Sequence, residues 1–383
     1  MISVSKLLIN KVEPSDSLRY GKGDHLGETP SSANRPVVVY NCVRRCNLRC
    51  VHCYAGATES EDPSLLNTRE ALAMIRSCAD FGCPAMLFSG GEPLLRKDIL
   101  ELIHYAGEQK MRTALSTNGT LITRRLAGEL KACGLTYVGL SLDGMEETHD
   151  RFRGARGAWR RALEGLDNCK AEGLRVGLRV TLTRHNLAEI PDLLQLFEKK
   201  DVPRICFYHL VYTGLGLELM DDDLTHEETR KVMDIIIEKT LEMHENGLNR
   251  EILTVDNHAD GPYLWLWARR NRPELAERIF RMIEANSAKS TAQGICCISW
   301  NGDVLPDQFW RDKVLGNIRE QSFEAIWMNK DNAFLENLRR RESLVKGRCG
   351  RCRYLKLCRG GFRARAEARF HDPWAEDPSC YLT

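Results

Sequence analysis

The feature that most constrains the fold is an alternation of short apolar runs with helical patterns between Pro36 and Leu210. Apolar and branched residues dominate six runs, and between them apolar residues recur at helical spacing. Because strands that alternate with helices pair in parallel, the pattern predicts an α/β fold with a partial (β/α)6 barrel. A doubly wound open sheet is the alternative from the pattern alone. The strands are expected near 36–41, 84–88, 111–116, 137–142, 175–182 and 204–211, and the helices near 67–82, 98–110, 123–133, 157–173 and 189–200.

The rest of the chain differs in composition from this region. The connecting region contains helical patterns near 226–246 and 273–286 around an irregular stretch at Leu253–Pro262. Beyond it, Asn301-Gly302 predicts a hairpin with a type I′ turn. The tail 346–383 is rich in Cys, Arg and Gly, so something other than a hydrophobic core must hold it together. We therefore expect an extended N-terminal arm over 1–34, the barrel over 35–212, a helical connecting or substrate region over 213–290, and a small C-terminal domain over 291–383.

Charge and hydropathy exclude several classes of protein. The net charge of +2 gives no global field for nucleic acid, and the apolar runs are too short to span a membrane. No secretory signal is recognisable, so a cytoplasmic location is expected and the fifteen cysteines are not expected to form a disulfide framework. Seven of the cysteines fall into two groups, whereas five lie in predicted helices and strands and are expected in the core: Cys78, Cys83, Cys133, Cys169 and Cys206.

The first group, Cys46, Cys50 and Cys53, directly follows the first predicted strand. Three thiolates can hold a [4Fe–4S] cluster while leaving one iron open to a substrate group. Zinc is the competing interpretation, although structural zinc prefers paired C-x2-C knuckles. His52 is expected to act as a spacer rather than as a ligand. Buried structural cysteines, the remaining alternative, would not need this spacing on a loop.

The C-x3-C-x2-C spacing with an adjacent aromatic residue, Tyr54, resembles the motif of the radical S-adenosylmethionine (SAM) superfamily. Further segments at predicted strand ends carry the same resemblance: Gly90-Gly91-Glu92-Pro93, Ser116-Thr117-Asn118-Gly119, Ser141-Leu142-Asp143-Gly144 and Arg153. The resemblance implies a barrel whose cluster cleaves SAM reductively to a 5′-deoxyadenosyl radical. It also implies that Tyr54 binds the cofactor, that Gly90, Gly91 and Glu92 hold the amino group of SAM, that Ser116 and Asn118 contact its ribose, and that Ser141 and Arg153 bind its carboxylate.

The second group, Cys349, Cys352, Cys358 and Cys380, resembles the auxiliary-cluster domains of the SPASM and twitch type. The sequence departs from a full SPASM pattern, because Asp307 and Phe362 occupy positions where those domains carry cysteines. The resemblance therefore implies one auxiliary [4Fe–4S] cluster and two clusters in the chain, with Cys380 or Asp307 as the fourth auxiliary ligand. A zinc knuckle is the alternative.

Three segments resemble the tetrapyrrole-modifying branch of the superfamily: Val12–Gly21, Thr254–Gly261 and Gly302–Trp310. The resemblance implies removal of the acetate groups from 12,18-didecarboxysiroheme to give Fe-coproporphyrin III, with a ferredoxin or flavodoxin as external electron donor. Propionate removal in haem d1 biosynthesis is the nearest alternative. A peptide maturase and a non-catalytic iron–sulfur scaffold are further alternatives.

A tetrapyrrole polycarboxylate needs a broad apolar slot edged by basic groups. His258 and His209 are candidate catalytic residues, as axial iron ligands or proton donors, although either can equally be a structural histidine. The remaining candidates can also be core residues or a solvated helix face; they are Trp265, Trp267, Arg269, Arg270, Arg272, Tyr208, Tyr212 and Trp310.

Overall fold

The computed structural model describes residues 1–13, 16, 35–286 and 290–382. Within these ranges eleven strands form a single sheet in the order β1-β8-β7-β6-β5-β4-β3-β2-β9-β10-β11. The strands are β1 (Ile2–Ser3), β2 (Val37–Val43), β3 (Ala85–Gly90), β4 (Arg112–Thr117), β5 (Tyr137–Ser141), β6 (Val176–Leu182), β7 (Arg204–His209), β8 (Glu251–Val255), β9 (Ile295–Ile298), β10 (Asp303–Leu305) and β11 (Gly316–Asn317).

The centre of the sheet is parallel, from β8 through β2 to β9, and the edges formed by β1, β10 and β11 are antiparallel. Helices connect the parallel strands, so the predicted α/β class and its six strand–helix units are confirmed. The α-helices are Val4–Ile9, Thr68–Phe81, Ile99–Glu108, Arg124–Ala132, Glu146–Arg153, Ala158–Ala171, Ile190–Lys199, His226–Glu245, Asp260–Asn271, Pro273–Asn286, Phe323–Trp327, Ala333–Arg339, Gly347–Gly350, Leu355–Cys358 and Arg363–Phe370. None of the helices in the described ranges is long and apolar enough to cross a bilayer.

The alternation does not stop at Leu210. The helix His226–Glu245 leads into β8, which pairs in parallel with β7 and forms a seventh unit. The irregular stretch predicted at Leu253–Pro262 is therefore wrong over its first three residues, which belong to β8, and over its last three, which begin the helix Asp260–Asn271. The short strand β8 begins with Glu251, and a charged first residue hides the apolar pattern. Glu251 is nevertheless fully buried, because it is paired with Arg204 of β7.

The extended arm predicted over 1–34 is also wrong at its start. Ile2–Ser3 forms β1 against β8, and the helix Val4–Ile9 follows, with the Ser3 side chain capping its first turn. Val4 and Leu7 are fully buried in the main core, so the segment is held by apolar burial. The prediction for residues 17–34 lies outside the described residues.

The predicted hairpin forms between β9 and β10, but its turn differs from the predicted type I′ turn. A type I′ turn requires a positive φ at both central residues. Of the two, Gly302 has a φ of 90°, whereas Asn301 is not in the left-handed region. β9 also pairs with β2, so the C-terminal domain continues the sheet of the barrel.

The two faces of the sheet differ. One face, which includes Val38, Met86, Leu140 and Leu178, packs on the helices and forms the main core. On the opposite face, here called the inner face, alternate residues of the same strands carry polar or small side chains between two minor apolar clusters. The inner-face residues from β2 to β7 include Asn41, Ser89, Ser116, Gly139, Ser141, Arg179 and Tyr208. Of the five cysteines predicted in the core, Cys78, Cys83, Cys169 and Cys206 are buried and Cys133 is half-buried.

Candidate active site

The predicted site segments meet at the carboxyl edge of the parallel strands, where such barrels bind ligands. The cysteine loop follows β2 and is tied to two other segments by backbone hydrogen bonds. Arg49 N donates to Arg153 O at 3.1 Å, Val51 N donates to Phe152 O at 2.9 Å, and Leu215 N donates to Cys53 O at 3.0 Å. The loop is therefore held by the fold independently of any bound group.

Gly90 and Gly91 allow two backbone segments to approach closely, and their contact with the amino group of SAM stays a prediction. A Cβ on Gly91 would lie 2.2 Å from the Arg45 carbonyl oxygen, and one on Gly90 would lie 2.4 Å from that of Val43. Gly91 N donates to Val43 O at 2.7 Å across the same contact. The two glycines thus bring the end of β3 against the start of the cysteine loop.

Gly91→Ala is expected to displace the cysteine loop and to destabilise the protein by about 1–3 kcal/mol, because the new methyl group overlaps a backbone oxygen. Gly107→Ala is the matched control, since a Cβ there meets nothing within 4 Å and alanine favours the helix. Thermal unfolding and bound iron per chain are the measurements. Equal iron content and stability in both variants would contradict the packing role of Gly91.

Glu92 connects the ends of two strands. Its fully buried carboxylate accepts hydrogen bonds from Thr117 Oγ1 at 2.7 Å, Asn118 N at 2.9 Å and Leu94 N at 3.2 Å. Burial raises the pKa of Glu92 above its ordinary value, although these hydrogen bonds act in the opposite direction. Glu92 therefore orders the segment after β4, and its contact with the amino group of SAM stays a prediction.

The other predicted SAM contacts surround the same space. Tyr54 OH bonds Asn41 Oδ1 at 3.1 Å and Ser89 Oγ at 2.8 Å, which ties the cysteine loop to β2 and β3. Asn118 Nδ2 donates to Asn47 Oδ1 at 2.9 Å, inside the cysteine loop. Ser116 and Ser141 lie half-buried on the inner face of β4 and β5. The structure thus brings these four residues to one end of the inner face.

Arg153 is occupied by a partner that the sequence pattern did not indicate. Its Nη2 forms a buried ion pair with Asp143, and its Nη1 lies 3.5 Å from Cys50 Sγ. Burial raises the pKa of Asp143, but Arg153 and two histidines outweigh it and hold that pKa below its ordinary value. One of them, His52, lies with Nε2 3.5 Å from Asp143 Oδ2, so it supports this pair. The guanidinium therefore faces a thiol, and binding of the SAM carboxylate by Arg153 stays a prediction.

The first cysteine group is suited to a negatively charged cluster. Two donors favour negative charge on its sulfurs: Leu48 N donates to Cys46 Sγ at 3.4 Å, and Arg153 Nη1 lies 3.5 Å from Cys50 Sγ. Burial acts in the opposite direction and raises the pKa of Cys46 to about 12, and the neighbouring Cys50 and Cys53 raise it further, so the three thiols are electrostatic neighbours. Among the described residues, no three His, Cys, Asp or Glu side chains converge on a single-ion site. A cuboidal cluster does not require such convergence, because each thiolate binds a different iron.

The second cysteine group lies at the C-terminal helices. Burial raises the pKa of Cys358 to about 12, and the thiols of Cys380, Cys349 and Cys352 act in the same direction, so the four are electrostatic neighbours. Tyr354 N donates to Cys352 Sγ at 3.4 Å.

Buried arginines surround this second group. Arg341, Arg359, Arg363 and Arg365 are each at most 8% exposed. Burial lowers the pKa of Arg341 to about 9, and the neighbouring Arg359 and Arg363 lower it further. Arg365 is paired with Asp377 and Arg359 with Glu342, whereas Arg341 and Arg363 lie within electrostatic range of Cys358, where their charges favour a thiolate.

Asp307, the alternative auxiliary ligand, has other partners. Its carboxylate accepts hydrogen bonds from Thr291 Oγ1 and, at 2.8 Å, from Phe309 N. Burial raises the pKa of Asp307 to about 6. Burial raises the pKa of the nearby Cys297 thiol, and the charge of Asp307 raises it further. The contacts of Asp307 therefore lie with the β9–β10 hairpin.

The two candidate catalytic histidines differ in their partners. His209 Nε2 lies 3.1 Å from Asp260 Oδ2, and Tyr381 OH donates to Asp260 Oδ1 at 2.6 Å, which makes a satisfied buried network. His258 is 3% exposed, and its Nδ1 is buried without a hydrogen-bond partner. Burial and nearby cations lower the pKa of His258 well below its ordinary value, so its ring is neutral at pH 7.

The other predicted substrate residues are structural, with the exception of Tyr208. Trp265 packs at 6.1 Å from the Tyr354 ring under Arg269, and Trp267 joins the edge of the main core. Tyr212 OH donates to Asp223 Oδ2 at 2.6 Å, and Trp310 is 1% exposed. Arg269, Arg270 and Arg272 are exposed to solvent. These arginines form a solvated helix face, which was the alternative interpretation of the sequence.

Arg179 is an inner-face residue that the sequence analysis missed. Its Nη1 donates to Ser116 Oγ, and its guanidinium carbon lies 5.2 Å from the centroid of the Tyr208 ring. The signal was present, since a single arginine interrupts the apolar strand Val176–Leu182. A charge within a buried strand requires a partner, and that requirement identifies a residue worth testing.

Comparisons with known families give two matches to this chain. The radical SAM superfamily matches residues 40–197, and the SPASM iron–sulfur cluster-binding domain matches residues 290–353. Solved structures agree in fold. The chain superposes on anSMEcpe with bound AdoMet with a TM-score of 0.69 at 20% identity, covering 90% of this chain and 93% of that one. It superposes on SuiB of Streptococcus suis bound to precursor peptide SuiA with a TM-score of 0.70 at 18% identity, covering 92% and 76%.

Curated relatives match nearly the whole chain. Fe-coproporphyrin III synthase of Methanosarcina barkeri is 49% identical over 391 residues, covering 100% of this chain and 98% of the relative. Pre-heme d1 synthase of Dinoroseobacter shibae is 40% identical, covering 91% and 87%. AdoMet-dependent heme synthase of Nitratidesulfovibrio vulgaris is 32% identical, covering 90% and 91%.

Proposed function

This chain belongs to the radical SAM superfamily, in the group that carries a SPASM iron–sulfur domain, and from that membership we propose that it removes the acetate side chains of 12,18-didecarboxysiroheme to give Fe-coproporphyrin III. The observation that carries the proposal is the 49% identity to Fe-coproporphyrin III synthase across the whole chain. The matched region covers the whole chain and therefore includes both cysteine groups and the inner face, where the reaction would take place.

The cysteines define where the cofactors would be held. Cys46, Cys50 and Cys53 would bind a [4Fe–4S] cluster with one open iron, and the four thiols of the C-terminal group would bind an auxiliary [4Fe–4S] cluster. Together with SAM, the first cluster supplies reductive cleavage to a radical that removes hydrogen from carbon, chemistry that no side chain provides. A ferredoxin or flavodoxin would deliver the electron.

The residues of the chain would position the reactants and exclude water. Arg153 stabilises the charge on Cys50 Sγ, while Asp143 keeps that guanidinium ionised and fixed. Tyr54, Asn118 and Ser141 edge the space beside the cysteine loop, where they would contact SAM. The half-buried inner face beyond them would receive the tetrapyrrole.

His258 is the better of the two histidine candidates for contact with the substrate. His209 is already held by Asp260, whereas the unpartnered Nδ1 of His258 is a neutral nitrogen that can bind iron or pass on a proton. We propose that His258 interacts with the iron or with a carboxyl group of the bound tetrapyrrole.

The second candidate function is propionate removal in haem d1 biosynthesis, favoured by the 40% identity to pre-heme d1 synthase. The test for both is an anaerobic assay of the reconstituted protein with dithionite, SAM and 12,18-didecarboxysiroheme, followed by mass spectrometry. Fe-coproporphyrin III together with 5′-deoxyadenosine is the expected result. Loss of propionate mass instead would select the second candidate, and 5′-deoxyadenosine with an unaltered tetrapyrrole would reject both and favour a peptide substrate.

The fourth auxiliary ligand can be tested by a pair of variants. Cys380→Ser is expected to lose the auxiliary cluster, because the Cys380 thiol is an electrostatic neighbour of Cys358. Asp307→Asn is expected to keep it, because Asp307 is bonded to Thr291 and Phe309. Electron paramagnetic resonance of the reduced proteins and iron content are the measurements. The opposite pattern would assign the ligand to Asp307.

A further inference from the structure

Arg179 is a cation on the inner face that forms no ion pair within the described ranges of the chain. Its one hydrogen bond there goes from Nη1 to Ser116 Oγ, and its Nε is buried without a partner. The Asp256 carboxylate lies within electrostatic range but is not bonded to it. Because burying a guanidinium is costly unless an anion compensates it, the contacts made by Arg179 are incomplete.

The surroundings of Arg179 are shaped to hold it in one position. A Cβ on Gly139 of the neighbouring strand would lie 2.7 Å from Arg179 Nε and 3.0 Å from its Cδ, so only glycine leaves room for the side chain. The Tyr208 ring covers one face of the guanidinium, and Ser116 accepts from one of its nitrogens. A guanidinium fixed in this way is preorganised for a planar, bidentate anion.

This position is open to a ligand although it lies on a strand in the interior of the sheet. Arg179 and Thr181 remain partly accessible, whereas Leu178 and Val180, which point to the opposite face of β6, are 0% exposed. Burial raises the pKa of Tyr54, which follows the third cysteine of the loop, and the charge of Arg179 acts weakly in the opposite direction, so the two side chains are electrostatic neighbours. The partly accessible guanidinium thus lies on the inner face, near the cysteine loop.

We propose that Arg179 binds a carboxylate side chain of the tetrapyrrole substrate and thereby sets its orientation beside the cysteine loop. This inference rests on the proposed function. Carboxylates are the anionic groups at the edge of such a macrocycle, and their planar shape matches the guanidinium fork. SAM would also bring a carboxylate to this end of the inner face. The experiment therefore measures the binding of the two ligands separately.

The experiment measures the two affinities independently in reconstituted protein under anaerobic conditions. Tetrapyrrole binding is followed by the change in its Soret absorption, and SAM binding by the change in the electron paramagnetic resonance spectrum of the reduced cluster. Arg179→Gln is expected to weaken tetrapyrrole binding about 10- to 100-fold, the loss of one charge-assisted bidentate contact, and to leave SAM binding unchanged. Arg269→Gln, which removes an exposed arginine stacked on Trp265, is the matched control and should change neither affinity.

The methyl ester of the tetrapyrrole provides a chemical complement. The ester is expected to bind the wild type and Arg179→Gln equally, because the partner of Arg179 is absent from it. If the glutamine variant does not fold, Arg179→Lys retains the charge, and its preference for the acid over the ester is expected to fall.

Each remaining outcome has a distinct meaning. The assignment of Arg179 would be overturned if its substitution weakened SAM binding and left tetrapyrrole binding unchanged. It would also be overturned if both variants kept the wild-type preference for the tetrapyrrole acid over its methyl ester. A wild-type protein that binds no tetrapyrrole would instead overturn the proposed function, so the two failures are distinguishable.

Discussion

Cys50→Ala is expected to reduce formation of both 5′-deoxyadenosine and modified tetrapyrrole to background. Three thiolates hold the proposed SAM-binding cluster, and Cys50 is the one that also receives the buried Arg153 guanidinium, at 3.5 Å. Removing it leaves two ligands for that cluster, while Arg153 keeps its ion pair with Asp143. Iron content should fall from about eight to about four atoms per chain, because the proposed auxiliary cluster would have its own four ligands.

The control for this prediction is another cysteine of similar burial. Cys133 is half-buried, and its thiol donates to the carbonyl of Leu130 in the preceding helix, away from both cysteine groups. Cys133→Ala should keep full iron content and activity. Measurable 5′-deoxyadenosine from the Cys50 variant, with the control intact, would refute a ligand role for Cys50.

Periodicity predicted the barrel well because one physical rule governs it. Strands buried on one face against helices must be apolar there, and the run near 137–142 and the strand Tyr137–Ser141 differ by one residue for that reason. Periodicity did not predict β8, because the strand begins with a buried charge, Glu251, that is neutralised by Arg204, a residue 47 positions away. Local sequence does not reveal a partner at that separation.

Candidate site residues were predicted where spacing itself reflects chemistry. The spacing of Cys46, Cys50 and Cys53 in the sequence must match the shape of one cluster, so the motif can be recognised without a structure. The role of Gly91 was harder to predict, since a glycine can make room for a ligand or for a neighbouring backbone segment. A Cβ at Gly91 would meet the Arg45 carbonyl oxygen, which favours the backbone. The pairing of Arg153 with Asp143 was hidden in the same way, because both occur in polar segments that predict turns.

Asp377 lies in the C-terminal tail, and its substitution is expected to have the second large effect. Apolar residues of the tail, Phe362 among them, lie in the main core, so the expectation that something other than a hydrophobic core holds the tail is wrong in part. The Asp377 carboxylate is 1% exposed and accepts hydrogen bonds from Arg365 Nε at 3.0 Å and Nη2 at 3.1 Å, and from Phe362 N at 2.6 Å. Arg365 in turn donates to Leu210 O at 3.0 Å, just after β7, and to Asp256 O at 2.7 Å, just after β8. This buried pair is therefore one of the contacts that fix the tail to the end of the barrel.

Asp377→Asn is therefore expected to lower the free energy of unfolding by about 3–5 kcal/mol, because it leaves the Arg365 charge buried without a counterion. Asparagine has nearly the same volume, so the loss is electrostatic rather than a cavity effect. The auxiliary cluster should be lost first, since Cys380 N donates to Asp377 O at 3.1 Å and the segment between them carries a proposed ligand. Chemical denaturation and iron content are the measurements.

Asp372→Asn gives the matched comparison for Asp377→Asn, because the same substitution is made in the same segment at the surface. Asp372 pairs with the exposed Lys346 at 2.8 Å, and such a pair contributes about 0–1 kcal/mol. If both variants lose stability equally, the tail is held by its clusters and its backbone rather than by the Arg365–Asp377 pair. If only Asp377→Asn is destabilised and it also loses the auxiliary iron, the buried ion pair stabilises the tail in addition to its apolar contacts with the main core. Arg365 would then join the domain of the second cysteine group to the barrel, because its side chain bonds both Asp377 and the backbone after β7 and β8.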